Sequence, residues 1–167
     1  MNSLEEYNNF LPIEEFKKLQ NLIFNLDFPW RIRESMTDLD KNIYFTYSFF
    51  NDYKVNSHLY EEYIISILKK LKCVAPMEIR ANMFLNKLFD KSGWHTDFNF
   101  NNLTAILYLN NCNGGTELQF NGKIKFIKAT ENKMIVFSSN TKHRVCTSTD
   151  VDRRYILNFN YYSYDVK

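Results

Sequence analysis

From residue 77 onward the chain is a close succession of short β-prone runs, and this single feature rules out most folds. The runs cover residues 77–85, 103–109, 116–120, 123–127, 134–137, 144–147 and 153–162, each rich in β-branched and aromatic residues and bounded by turn formers. Parallel strands need crossovers of about a dozen residues or more, usually helical, and most of the gaps here are too short for that. An antiparallel sandwich or jelly roll is therefore expected. With 167 residues in all, the chain suits a single domain spanning 1–167.

The first part of the chain reads differently. Ser3 and Glu6 have the spacing of a capping box and predict a short first helix, and Pro12 stands where a first helical turn tolerates it. Ile13, Phe16, Leu19, Ile23 and Phe24 then recur at helical intervals, predicting an amphipathic helix over 13–25. Residues 43–50 are aromatic and β-prone. Residues 57–71 return to helical spacing through Tyr60, Tyr63, Ile64, Ile67 and Leu71. The plan is a mainly β domain with flanking N-terminal helices, a helical part over about 1–75 and a β core over about 76–162, with helices covering one sheet.

Composition narrows the function classes. Hydrophobic residues make up 45% of the chain and aromatics 17%, enough apolar surface to offset the entropy of ordering. The 21 basic and 19 acidic residues are interspersed, so no basic run marks a nucleic-acid arm. Cys73, Cys112 and Cys146 are odd in number and form no C-x-x-C pair, which argues against a disulfide framework or a structural zinc site. Charged residues interrupt the first twenty positions, and no apolar run approaches the ~18 residues of a membrane span, so a cytoplasmic location without membrane association is expected.

The chemistry concentrates in His95-Thr96-Asp97. In an extended segment residues two apart project to one side, so an imidazole and a carboxylate converge. His143, which follows the turn at 138–142, can complete the set once a sandwich folds back on itself. Two histidines and one carboxylate on one face of an octahedral metal leave about three positions open, the arrangement of non-haem Fe(II) oxygenases. The remaining histidine, His58, sits among polar residues with no carboxylate at ligand spacing and reads as a surface residue.

Arg153 and Arg154 open the last β-prone run, and a planar guanidinium fork inside a barrel suits the anchoring of a carboxylate. Alternation lets only one of them face inward. Arg154 would share its face with Ile156, Asn158 and Asn160, and Arg153 with Tyr155, Leu157 and Phe159.

Taken together, Arg80-Ala81-Asn82, the run from Trp94 to Phe98, the run from Ala105 to Asn110, Gly114-Gly115-Thr116-Glu117 and the closing Asn158-Phe159-Asn160-Tyr161 resemble the Fe(II)/2-oxoglutarate dioxygenase superfamily. The pattern is closest to the prolyl-4-hydroxylase-like branch and to small phage-encoded oxygenases, which would place the protein in a host cytoplasm. Phe10-Leu11-Pro12 followed by a helix is similar to the way that branch begins.

The resemblance implies a double-stranded β-helix, Fe(II) held by His95, Asp97 and His143, 2-oxoglutarate as co-substrate, O₂ as oxidant, and ascorbate as an optional reductant. It implies that Tyr108 shares the distal carboxylate of 2-oxoglutarate with the late arginine. The spacing of the phage-like pattern favours Arg154, and Arg153 also fits the family. Asn82 matches a polar position facing the co-substrate, where many prolyl hydroxylases carry Tyr nearby. Hydroxylation of a peptidyl residue such as proline, or of a small molecule, is the expected reaction, with release of succinate and CO₂. Halogenation is disfavoured because it usually needs the carboxylate ligand replaced, and Asp97 is present. Residues 88–93 and 99–102 are expected at the rim, and Tyr47, Phe49, Phe89 and Trp94 are candidate pocket aromatics. Paired glycines at 114–115 are expected to supply the positive φ of a tight turn. Two other classes remain: a jelly-roll binding module without turnover, and a nucleic-acid demethylase of the same superfamily, whose final Arg-x-Asn-x-x-x-Arg arrangement is missing here.

Overall fold

The computed structural model describes residues 4–34, 42–86, 88–120 and 122–164. In chain order the elements are β1 (Glu5–Tyr7), α1 (Ile13–Phe24), β2 (Arg31–Glu34), β3 (Ile43–Asn51), β4 (Lys54–Val55), α2 (Tyr60–Tyr63), α3 (Ile65–Lys70), β5 (Cys73–Leu85), β6 (Leu103–Tyr108), β7 (Gly115–Phe120), β8 (Lys123–Lys128), β9 (Lys133–Ser138), β10 (His143–Cys146) and β11 (Arg153–Ser163). The larger sheet runs β1-β9-β6-β11-β5-β3-β2, with β4 on β3, and the smaller runs β10-β7-β8. Every pairing between these strands is antiparallel. The two sheets form a double-stranded β-helix.

Two apolar layers explain why the central strands read as unbroken hydrophobic runs. On the outer face of the larger sheet, Ile79, Ala81, Ala105, Leu107, Leu157 and Phe159 pack with Phe16, Leu19 and Ile23 of α1 and Ile67 of α3. On its inner face, Phe84, Ile106, Tyr108 and Ile156 meet Leu118, Ile127 and Val145 of the smaller sheet. Strand β11 lies between β5 and β6 and is buried on both sides, its odd-numbered residues in the outer layer and its even-numbered ones facing inward. Burying each large side chain contributes on the order of 1.5–3 kcal/mol, so the two layers hold the inner face rigid.

Several sequence expectations change. Ser3 lies outside the described residues, and Glu6 belongs to a strand, paired with Ile135 of β9, instead of a first helix. Its carboxylate reaches Lys125 at 2.8 Å and Lys133 at 3.5 Å, contacts that an extended segment on that sheet edge makes. The predicted helix over 57–71 divides into α2 and α3 at Ile64, where φ opens to −107°. The first part of the chain also supplies β2, β3 and β4 to the larger sheet, so it is not simply helical.

The glycine pair has a different role from the one expected. Neither Gly114 nor Gly115 adopts a positive φ, whereas Gly122 does, at 75°. Close approach explains the pair: a Cβ on Gly115 would lie 2.1 Å from the Ile127 carbonyl oxygen, and one on Gly114 would lie 2.8 Å from that of Cys146. Only hydrogen fits there. Among the described residues no helix is long and apolar enough to cross a membrane.

Candidate metal centre

His95 and His143 come together through the backbone. They form an isolated antiparallel bridge in which each amide donates to the other's carbonyl, at 3.0 Å and 2.9 Å, so the segment carrying His95 extends the smaller sheet at β10. The ring centroids are 4.4 Å apart. In each ring Nδ1 faces a backbone carbonyl, that of Gly93 for His95 (3.3 Å) and that of Thr141 for His143 (3.0 Å). A carbonyl only accepts, so Nδ1 carries the proton and Nε2 presents its lone pair, the tautomer a metal-binding histidine needs.

Asp97 completes the cluster. Its Oδ1 lies 3.9 Å from His95 Nε2 and 3.5 Å from His143 Nε2. One donor atom from each residue falls within a 4.8 Å sphere of mutual separation, compact enough for the three to share one ion. Burial lowers the His95 pKa to about 4, helped by His143, so the ring is neutral at physiological pH. Burial would raise the Asp97 carboxyl, but the facing imidazoles, a hydrogen bond from Thr104 and the charge of Arg80 outweigh it and hold the group below its ordinary value. Two imidazoles beside a charged carboxylate are the donor set that a divalent cation takes.

A cavity of about 210 Å³ opens from this cluster and reaches Thr116 on β7. Beside Thr116 lies Arg154, fully buried, with Nη2 3.3 Å from Thr116 Oγ1 and with Nε and Nη1 lacking any hydrogen-bond partner. Tyr108 donates its hydroxyl to the same Thr116 oxygen at 2.9 Å, and its ring lies 5.5 Å from the guanidinium carbon. Burial lowers the Arg154 pKa and raises that of Tyr108 to about 12, leaving a charged fork beside a protonated phenol. Unpaired buried donors are costly, so this end of the site suits an anion with two acceptor oxygens.

The inner face of β11 thus carries Arg154, while Arg153 is exposed on the other side of the strand. Asn82 lines the cavity and its Oδ1 accepts a 2.9 Å hydrogen bond from Thr46. Residues to which the sequence reading gave no site role complete the walls: Glu78 and Arg80 on β5, Tyr44 on β3 and Arg33 on β2. Strand parity could have found two of them, since Glu78, Arg80 and Asn82 alternate along one face of β5. None of residues 88–93 or 99–102 lines this cavity, nor do the four candidate aromatics. Tyr47 and Phe49 belong to the outer apolar layer, Phe89 packs on the inner one, and Trp94 lies under Arg144 with the guanidinium carbon 4.4 Å from its ring.

Residues 82–162 match the family model described as the 2OG-Fe(II) oxygenase superfamily. No curated protein sequence matches the chain. Among solved structures, an oxidoreductase of the 2OG-Fe(II) oxygenase family from Burkholderia pseudomallei superposes with a TM-score of 0.75 at 15% identity, covering 95% of this chain and 84% of that one. A Pseudomonas putida prolyl-4-hydroxylase gives 0.71 at 12% identity, covering 97% and 94%. A non-haem α-ketoglutarate-dependent epimerase of nogalamycin biosynthesis gives 0.69 at 12% identity, covering 97% and 78%. The family implies Fe(II) and 2-oxoglutarate as the groups handled at such a site. Residues 82–162 therefore carry a 2OG-Fe(II) oxygenase family domain, on a fold shared with prolyl-4-hydroxylase-like oxygenases.

Proposed function

We propose that the whole chain is one oxygenase domain that binds Fe(II) through His95, Asp97 and His143, binds 2-oxoglutarate between that ion and Arg154, and hydroxylates a C–H bond of a second substrate. The observation that carries this reading is the two-ended inner face: a compact His-Asp-His cluster at one end of a cavity that reaches Thr116, and, adjoining Thr116 just beyond the cavity lining, a buried guanidinium with two unpaired nitrogens. A metal alone explains the first end. Only an elongated ligand with a carboxylate far from its metal-binding atoms uses both.

When bound, Fe(II) with 2-oxoglutarate and O₂ would supply oxidative chemistry that no side chain of the protein can perform, yielding succinate and CO₂. The chain's own contribution is placement. Nδ1–H bonds to Gly93 and Thr141 aim the two Nε2 atoms, and Asp97 supplies the negative charge. Arg154 pairs with the distal carboxylate and Tyr108 adds a second donor, which together fix the co-substrate along the cavity. Asn82 offers a polar contact midway on the same face. The Glu78, Arg80, Tyr44 and Arg33 wall is the surface left for the second substrate, a peptidyl residue such as proline or a small molecule.

The epimerase of similar fold shows why fold alone does not set the reaction outcome. The test is to load the protein anaerobically with Fe(II) and 2-oxoglutarate, admit O₂, and follow succinate together with the mass of candidate substrates. Succinate released in an Asp97-dependent manner, with gain of one oxygen in a substrate, is expected. Full succinate release by Asp97→Ala would overturn the ligand set, and consumption of 2-oxoglutarate with no oxygen gain in any coupled substrate would overturn hydroxylation.

A further inference from the structure

We infer that Thr104 is a positioning residue that keeps Asp97 a one-oxygen ligand. This rests on the proposed His95, Asp97 and His143 metal set and concerns what holds it in shape. Thr104 stands on β6 with its side chain on the inner face, and its Oγ1 donates to Asp97 Oδ2 at 2.9 Å, the oxygen that does not face the histidines. The other oxygen, Oδ1, is the one within 3.9 Å of both Nε2 atoms.

The hydroxyl is itself surrounded. Ser139 Oγ lies 2.9 Å away and Asn160 Oδ1 2.7 Å away, and Thr104, Ser139 and Asn160 are all within 1% of complete burial. Ser139 also binds Asp97 through the main chain, its carbonyl accepting the Asp97 amide at 3.1 Å. Two polar side chains, from the turn after β9 and from β11, converge on the hydroxyl that β6 supplies, in a dry place. Burying them is costly unless each is paired, so they constitute a built support.

Proton counting fixes its direction. Thr104 has one proton and meets two acceptor oxygens, on Asp97 and Asn160. The carboxylate is charged and therefore the stronger acceptor. Ser139 can then donate to Thr104. Asn160 serves the same oxygen best through its amide nitrogen, since Nδ2 has no partner when the carbonyl faces Thr104. The relay runs from Ser139 and Asn160 through Thr104 to Asp97 Oδ2 and occupies that oxygen. A metal held by this set would be offered Oδ1, with Oδ2 already engaged by Thr104.

The experiment is a Co(II) titration of the full chain, followed by visible absorption, with wild type, Asp97→Ala, Thr104→Ser, Thr104→Cys and Thr104→Val. Removal of such a support typically weakens metal binding about 10–100-fold, and that loss is expected for Thr104→Val together with an altered Co(II) spectrum. Thr104→Ser restores both, and Thr104→Cys, a weak donor of similar size, falls between them and serves if the valine variant does not fold. Co(II) affinity and spectrum unchanged in the valine or cysteine variant overturn the inference. If instead Asp97→Ala binds Co(II) as wild type does, the metal reading itself fails.

Discussion

His95 and His143 exchange both of their backbone hydrogen bonds, at 3.0 Å and 2.9 Å, so two imidazoles distant in sequence are joined by main chain before any metal is considered. Their separation therefore depends little on either side chain. Replacing His143 by Ala removes a ring that donates only to the Thr141 carbonyl and leaves the bridge in place. Fe(II) binding should fall by at least tenfold, as loss of a direct ligand is no milder than loss of its support. The thermal midpoint of the metal-free protein should move by only a few degrees, because one buried ring is lost without disturbing the ladder. Equilibrium dialysis with Fe(II) and a melting curve measure the two, and unchanged iron retention would remove His143 from the ligand set.

Arg154 poses a sharper question, because a buried cation with unpaired donors destabilises the empty protein. Arg154→Leu replaces it with an apolar residue against Phe84 and Tyr108, whose rings lie 5.3 Å and 5.5 Å from the guanidinium carbon. Such replacements are often neutral or stabilising by ~1–4 kcal/mol. Stability should thus hold or rise in urea denaturation, while the 2-oxoglutarate KM rises by about 100-fold, as expected for loss of a charged contact of roughly 3 kcal/mol. Arg153→Ala, on the exposed side, should leave both unchanged. A 2-oxoglutarate KM that responds to Arg153 and not to Arg154 would reverse the assignment.

How much of this was written in the sequence depends on the range of the interaction. Strand periodicity placed β5 to β11 to within a few residues, and the two-residue spacing of His95 and Asp97 anticipated that they face one side. Parity left Arg153 and Arg154 equivalent because β11 is apolar on both faces, and only the packing of its even-numbered face against the smaller sheet separates them. Glu6 was misread because the capping-box pattern is local, whereas its partners Lys125 and Lys133 lie on strands more than a hundred residues away. Thr104 was passed over, and Arg80, part of the Arg80-Ala81-Asn82 motif, was given no role, for a similar reason: a threonine or arginine in a strand has no distinguishing mark until the inner face is known.

Gly115 sits beside Thr116, the residue that joins Arg154 and Tyr108, so packing and site are coupled there. A methyl group at Gly115 would meet the Ile127 carbonyl at 2.1 Å and must push β7 from β8. Gly115→Ala should therefore cost about 1–3 kcal/mol or more, the usual range for overpacking. Movement of β7 carries Thr116 with it, so 2-oxoglutarate affinity should fall in the same variant. A urea midpoint equal to wild type would mean that the strands yield without strain.

Glu117, next along β7, ties together the segments that hold the two histidines. Its carboxylate accepts from Lys91 and from Arg144 Nε, both at 2.7 Å, where Lys91 lies on the segment leading to His95 and Arg144 follows His143. Burial would raise its pKa, but these two cations outweigh that and hold the group below its ordinary 4.5. A depressed carboxyl pKa stabilises the fold above the unfolded-state value, and that contribution is lost as pH falls through the lowered one. Glu117→Gln keeps the shape without the titration. The variant should be less stable than wild type at neutral pH, and the gap should narrow steadily once the pH drops below 4.5. Urea unfolding of both proteins across that window measures it. A gap independent of pH would show that the carboxylate's charge contributes nothing, and that Lys91 and Arg144 hold the two segments by hydrogen-bond geometry alone.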